Sequence, residues 1–368
     1  MPLNNRIIIC AAGGGKTTLI VEEALARPDL RIGMTTYTNN NRDGIASSLI
    51  FKKQALAPHI TTSTWFSFLL KEAVRPYQRA VYKESRVVGI DWVKGKSTQG
   101  IPVSKTRPFY FSKGKYLYSD KVSQFACACN VASNGAVFAR LKERFDVIYI
   151  DEVQDLAGYD LVLLEEMMKA GVPLVLVGDH RQSTYQTNHS GKYKQYAGYG
   201  IIALFRKWEK KGLCSLVYQT HSHRCHPAVA AFSDQFFPEE PKTESLNETV
   251  TDHDGIFFIS SADLLKYVET FKPQSLRYDK KTLCSGYPAM NLGASKGLTF
   301  NRVLIHPGPG CVRWLKTGAI KHVINSREKW YVGITRARQS VTMETSTSQE
   351  SLPLLSNDID VMRRLLHR

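Results

Sequence analysis

The stretch Ile7-Ile8-Ile9-Cys10-Ala11-Ala12-Gly13-Gly14-Gly15-Lys16-Thr17-Thr18-Leu19 decides the reading of this chain. A β-branched run leads into three glycines, a lysine and two threonines. That order predicts a strand, a tight loop and a helix N-terminus. Glycines have no Cβ, so the backbone N–H groups of Ala12, Gly13, Gly14 and Gly15 can close around phosphate oxygens. The helix start, with Thr18 in its first turn, adds unsatisfied N–H groups and the positive end of its dipole. Lys16 is expected to reach the outer phosphates of a triphosphate, and the Thr17 hydroxyl to bind Mg²⁺. The usual pattern has a glycine six residues before the lysine; here Cys10 stands there.

Two later strands complete the expected site. Phe145 to Ile150 is mostly apolar and runs into Asp151-Glu152-Val153-Gln154-Asp155. This reads as a buried parallel strand with carboxylates at its C-terminal tip, the edge where open α/β sheets bind ligands. Asp151 is expected to hold Mg²⁺, directly or through water, and Glu152 to polarise an attacking water. Val172 to Val177 reads as a third such strand, followed by Gly178-Asp179-His180-Arg181-Gln182-Ser183-Thr184-Tyr185. Its place along the sheet puts Gln182 where it can sense a γ-phosphate or orient water.

At 368 residues, the chain is long enough for two domains or three small ones. Hydrophobic residues at 43% and charged residues at 22% are ordinary for a globular protein. The charge is not: 49 Lys+Arg against 33 Asp+Glu gives +16, which points to a polyanionic partner, nucleic acid first. Seven scattered cysteines with no CxxC pair do not form a disulfide framework, so a reducing cytosol is expected. No leader-like segment opens the sequence, and no apolar run reaches the ~18 residues of a membrane span. A membrane partner is therefore not expected.

Between the loop and the acidic strand, two further strands are expected. Arg31 to Thr38 ends in Asn39-Asn40-Asn41-Arg42, before a helix starting near Asp43. His59 to Thr62 precedes Ser63-Thr64-Trp65-Phe66-Ser67-Phe68. Threonines, asparagine and aromatics at strand ends can touch phosphates and stack on bases. Helix capping and core packing explain the same residues more simply.

Lys71 to Lys121 changes character. Twelve Lys/Arg stand against four acids, 12 − 4 = +8, with eight interleaved aromatics that include Tyr77, Tyr82, Trp92, Phe109, Tyr110 and Tyr116. Cations that track a backbone and rings that stack on bases suit single-strand binding. A small insert with its own aromatic core is compatible with the same composition.

The second half has strand-like segments at Leu213 to Tyr218 and Arg302 to His306 but no glycine loop. His221, His223, Cys225 and His226 lie within six residues, but with no second cluster nearby the spacing is poor for zinc. Lys329 to Arg338 reads as a helix bearing arginines, ahead of a strand near Ser340 to Glu344.

Taken in order, these strings resemble a superfamily-one helicase of the UvrD/Rep/PcrA group. They are AAGGGKTT, TYTNNNR, TWFSF, DEVQD, VGDHRQSTY, the arginine stretch at HSHR, SKGLTF and YVGITRAR, and the resemblance covers residues 7 to 344. The resemblance implies an α/β fold of two RecA-like domains with parallel sheets plus a small basic insert. The first domain would take 1–70 and 122–212, the insert 71–121 and the second domain 213–368. ATP would bind with Mg²⁺ between the domains, with Arg224 and Arg336 acting on the γ-phosphate. His223, where the family has an adenine-stacking tyrosine, and Gly297 would border the nucleotide. Thr36, Tyr37, Asn39, Thr64, Trp65, Ser67, Tyr185 and Lys296 would lie on the nucleic-acid strand.

Several positions depart from the family pattern. Only Met1 to Arg6 precede the first strand, so the adenine-contacting glutamine motif is expected to be missing. Phe66 replaces a histidine, Thr299 replaces a ribose-contacting glutamate, and Thr187 and Asn188 replace an aromatic–arginine pair. About 50 residues between Phe237 and Asn291 leave no room for the large second insertion. The expected activity is ATP-driven 3′→5′ movement on single-stranded DNA, with DNA favoured over RNA. Two alternatives remain: a helicase-like subunit of a nuclease, replication or anti-phage defence assembly that does not itself unwind, and a viral RNA helicase. The expected location is the cytoplasm, a nucleoid or a viral replication site.

Overall fold

A computed structural model describes residues 5–53, 57–184, 191–284 and 287–345. The chain divides into two compact units, one of residues up to Ile9 with Lys16–Tyr218, the other of Cys10–Gly15 with the residues from Gln219 onward.

The first unit is built on a six-stranded sheet. Its strands are β1 (Arg6–Cys10), β2 (Ile32–Thr36), β3 (Ile60–Thr64), β4 (Val147–Ile150), β5 (Leu174–Gly178) and β6 (Ser215–Gln219), in the order β3-β2-β4-β5-β1-β6. The pairs β2/β3, β2/β4, β4/β5 and β1/β5 are all parallel. β2, β4 and β5 are buried at every residue, and β4 and β5 accordingly read as apolar runs and not as alternating patterns. β6, which the sequence places at the start of the second domain, is instead an edge strand of this first sheet. Its Ser215 N–H donates to the Asn5 carbonyl at 2.9 Å.

The expected helix after the glycine loop spans Lys16–Leu25. The helix expected from Asp43 begins four residues earlier and covers Asn39–Lys53, because the Thr38 hydroxyl accepts from the Asn41 N–H at 3.1 Å and caps its first turn.

The basic insert has a small three-stranded sheet of Gly89–Asp91, Tyr116–Tyr118 and Phe111–Ser112. Tyr82 stacks on Phe111 with centroids 4.3 Å apart, and Tyr110 and Phe111 both pack against Phe125. These rings belong to the same apolar core as the large sheet. The insert is therefore anchored by most of its aromatics, and the reading of them as base-stacking groups is corrected for those rings.

The second unit holds a five-stranded, wholly parallel sheet. Its strands are β7 (Gly255–Ile259), β8 (Gln274–Arg277), β9 (Met290–Asn291), β10 (Phe300–His306) and β11 (Ala337–Glu344), ordered β7-β11-β10-β8-β9. The arginine-bearing helix is shorter than the sequence suggests. It spans Arg327–Ile334 and stops where the Thr335 hydroxyl turns back onto the carbonyl of Tyr331 at 2.7 Å. Arg336 lies past its end, and Arg338 is already in β11. Among the described residues, no helix is long and apolar enough to cross a membrane.

His253 sits between the Phe257 and Phe271 rings at 3.9 and 4.2 Å and bonds the Tyr267 hydroxyl through Nε2 at 3.0 Å. Burial, with the Arg302 charge adding to it, lowers its pKa to about 4. The unfolded chain therefore takes up a proton near pH 6.5 that the folded chain refuses. Stability from this site is complete above pH 6.5 and falls as pH drops toward 4, by up to about 1.4 kcal/mol per pH unit. In thermal melts from pH 7.5 to 4.5, His253→Phe should flatten that acid limb.

Candidate nucleotide-binding site

Parallel pairing delivers the C-terminal tips of β1, β5 and β4 to one edge, with β5 between the other two. β1 and β4 are two strand spacings apart, about 10 Å. The helix that starts at Lys16 returns at this edge, and there the first unit gathers Lys16, Thr17, Asp151, Glu152, Asp179 and Gln182. Thr17 Oγ1 donates to Asp151 Oδ2 at 3.4 Å. Asp151 is buried; desolvation pushes its carboxyl above the usual range, and the neighbouring Glu152 charge adds to the rise. The Lys16 charge opposes both effects.

Asp179 is equally buried and behaves oppositely. Burial would raise its pKa, but Arg181, then Lys16 and His180, then the Gln182 amide hold it down at about 2. Its Oδ1 accepts from the Arg181 N–H and Nε, each at 3.1 Å, and its Oδ2 accepts from Gln182 Nε2 at 2.8 Å. The amide of Gln182 is thus fixed by a buried carboxylate, a feature its position in the sequence does not reveal.

Gln154 does not stand out in the sequence, yet it joins the two strand tips. Its Nε2 donates to the Glu152 carboxylate, and its Oε1 accepts from the Asp179 N–H at 3.1 Å. Gly178 leaves room for it: a Cβ there would come within 2.2 Å of Oε1. Glu152 itself has φ +57°, a left-handed conformation uncommon for a residue with a side chain. Its N–H donates to Asp151 Oδ1 at 2.9 Å. The signal for Gln154 lay in the spacing Glu-x-Gln, but only the fold shows that its amide spans two strands.

The donor set suits Mg²⁺. One hydroxyl and one carboxylate oxygen are hard ligands, and Mg²⁺ keeps its remaining positions for water and phosphate. Among the described residues, no group of three His, Cys, Asp or Glu side chains forms a protein-only metal cage.

The second unit includes the loop Cys10–Gly15. Gly13 and Gly15 have φ +74° and +72°, open only to glycine without strain. A Cβ on Gly13 would meet the Arg224 Cβ at 2.5 Å, and one on Gly14 would meet the His221 carbonyl at 2.7 Å. The His223 N–H donates to the Gly13 carbonyl at 3.0 Å, while the His223 side chain is exposed. The Ala12 N–H lies 3.2 Å from the Tyr331 hydroxyl.

Arg336 is buried, with Nε donating to the Val332 carbonyl at 2.9 Å and Nη1 to the Leu298 carbonyl at 3.3 Å. Arg224 Nη1 donates to the Thr335 carbonyl at 3.1 Å. Both guanidiniums therefore satisfy carbonyls at the C-terminal end of helix Arg327–Ile334, where cations are favourable. Gly297 has φ +87°, and Lys296 beside it is half-buried.

The residues expected on a nucleic-acid strand divide. Tyr37 is half-buried, and Asn39 and Ser67 are exposed. Thr36 is buried, and Thr64 caps the helical turn Trp65–Phe68 by accepting from the Ser67 N–H. Trp65 is 1% exposed and its indole donates to Asp160 at 2.9 Å. It is a core residue, so the expectation that it stacks on a base is corrected: its ring faces are spent on packing. Tyr185 lies outside the described residues, as do Thr187 and Asn188.

Residues 96–190 match the family model of the UvrD/REP helicase N-terminal domain. That span covers the tips of β4 and β5, with Asp151, Glu152, Gln154, Asp179 and Gln182. This segment is therefore similar to the N-terminal domain of UvrD/REP helicases, in keeping with the motif order. Among solved structures, it is similar to the arterivirus nonstructural protein 10 helicase, at 14% identity and a TM-score of 0.47, covering 95% of this chain and 62% of that one. A complex of arterivirus nonstructural protein 10 with DNA matches at 15% identity and a TM-score of 0.47, covering 94% of this chain and 62% of that one. The chain spans less than two thirds of the length of these proteins. No curated protein sequence matches it.

Gln154→Leu should remove the bridge between the strand tips and leave the Asp179 N–H unpaired. A loss of about 1–3 kcal/mol in urea unfolding is expected. A change within 0.5 kcal/mol would show that the amide does not tie the tips together.

Proposed function

We propose that this chain is a nucleic-acid-dependent ATPase that moves 3′→5′ along single-stranded DNA, with two RecA-like domains and a shortened basic insert. The observation that supports it most is the gathering of Lys16, Thr17, Asp151, Glu152, Asp179 and Gln182 at one sheet edge, within the unit that carries the helicase-family match. In this reading Lys16 and the N–H groups of the glycine loop hold the phosphates. Thr17 and Asp151 would hold Mg²⁺, which when bound neutralises phosphate charge. The raised pKa of Asp151 fits a carboxylate in need of a cation.

Glu152 accepts a proton from the attacking water, and its left-handed backbone and the Gln154 bond fix its aim. Gln182, held by Asp179, orients that water or reads the γ-phosphate. Arg224 and Arg336, by the resemblance alone, stabilise charge on the transferring phosphoryl group. The +16 net charge and the basic insert supply sequence-independent attraction to a polyanion.

The test is ATP hydrolysis with and without oligo(dT) and oligo(rU). Stimulation by oligo(dT) is expected, and Lys16→Ala and Glu152→Gln should each lower turnover by roughly 10²–10⁴-fold with unchanged melting. Normal turnover in either variant would remove the site assignment. Stimulation by oligo(rU) alone would favour the RNA helicase reading, and nucleotide and DNA binding without turnover would favour a non-unwinding subunit.

A further inference from the structure

Of the eight aromatics in the basic insert, seven are buried or half-buried and one is not. Trp92 is 67% exposed. This ring is also held in place. Its ring meets Phe66 in a T-shaped contact at 5.2 Å and 83°, and Phe66 meets Tyr37 at 5.8 Å. The next residue is tethered too: the Val93 N–H donates to Ser119 Oγ at 3.1 Å. Further on, the Ser97 N–H donates to Asp120 Oδ2 at 3.2 Å. Between these anchors Lys94 and Lys96 are exposed, and among the described residues neither has an ion-pair partner.

We propose that Trp92 is a base-stacking platform for single-stranded nucleic acid, with Lys94 and Lys96 taking the adjacent phosphates. This rests on the nucleic-acid reading above and assigns it a specific surface. The chemistry of the occupant follows from the surface. A flat, exposed indole gains from stacking on a flat π-system, and any base provides one. Two unpaired ammonium groups two residues apart, in an insert with twelve cations and four acids, call for a polyanion that also carries rings. A purely anionic partner would not use the indole, and an apolar partner would not use the lysines. The contact with Phe66 also places the platform beside Tyr37, and so beside the C-terminal end of β2.

The protein has five tryptophans, and Trp65, Trp208, Trp314 and Trp330 are each no more than 2% exposed. The acrylamide-accessible emission of the wild-type protein therefore reports on Trp92 without any mutation. Titration with oligo(dT) should quench and protect that component, while heparin at equal charge should leave it accessible. Trp92→Ala should weaken oligo(dT) binding about tenfold at constant salt, with Trp92→Phe recovering part of the loss. Lys94→Ala with Lys96→Ala should reduce the salt slope of binding by about 1.4, from two phosphates at ~0.7 each.

If the wild type binds oligo(dT) but its accessible emission is unchanged and Trp92→Ala binds normally, the platform is refuted while the proposed function stands. Equal protection by heparin would reduce the site to a charge patch and refute stacking. No binding to any single strand would overturn the proposed function and this inference together.

Discussion

Parallel pairing of β1, β5 and β4 is the constraint on which the candidate site depends. The register from Arg6–Val175 to Ile9–Gly178, and from Ile148–Leu174 to Ile150–Leu176, leaves no freedom in where each strand exits. Because the strands run the same way, every exit falls on one edge. A lysine, a threonine, three acids and two glutamines that are 166 residues apart at the extremes, Lys16 to Gln182, then share one small region. Antiparallel pairing of the same strands would send the acids of β4 and the turn after β5 to opposite edges. β4 and β5 are buried on both faces, so their β-branched and leucine side chains pack on either side of the sheet in this pairing.

Two carboxylates at this edge show how burial alone does not set a charge state. Asp151 and Asp179 are both fully enclosed, yet one is shifted up and the other down. Asp179 has a guanidinium and an amide in direct contact, so its ionised form is solvated by the protein. Asp151 has one backbone N–H at 2.9 Å and a hydroxyl at 3.4 Å, with no guanidinium among the described residues bonded to it and a second carboxylate next in sequence, so burial and that neighbour outweigh what compensates its charge. The first is a fixed structural anion that orients Gln182. The second is the better candidate for a cation ligand, because a divalent ion supplies the compensation that its surroundings lack.

The aromatics of the insert illustrate a division of labour that composition conceals. Tyr82, Phe109, Tyr110 and Phe111 join the insert to the main core, Tyr110 and Phe111 packing on Phe125, and make a basic, lysine-rich segment foldable. Trp65 follows the same pattern in the neighbouring helical turn, with its indole bonded to Asp160. Trp92 alone among the insert's rings remains exposed, and only its backbone surroundings and its contact with Phe66 explain why it stays in place.

The sequence by itself determined the strand–loop–helix at residues 7–19, the acid-tipped strand at 147–150 and the order of the motifs. Each of these is a local pattern: an apolar run, a glycine cluster, a charge at a strand end. Periodicity and residue chemistry act over a few residues, and so they are legible there. Tertiary structure decided what depends on partners far along the chain. It moved Ser215–Gln219 into the first sheet, ended the arginine helix at Ile334, buried Trp65, and set the Gln154 amide between Glu152 and the backbone of Asp179. No local signal encodes these outcomes, because each is the result of competition between distant groups for the same buried space and the same hydrogen bonds.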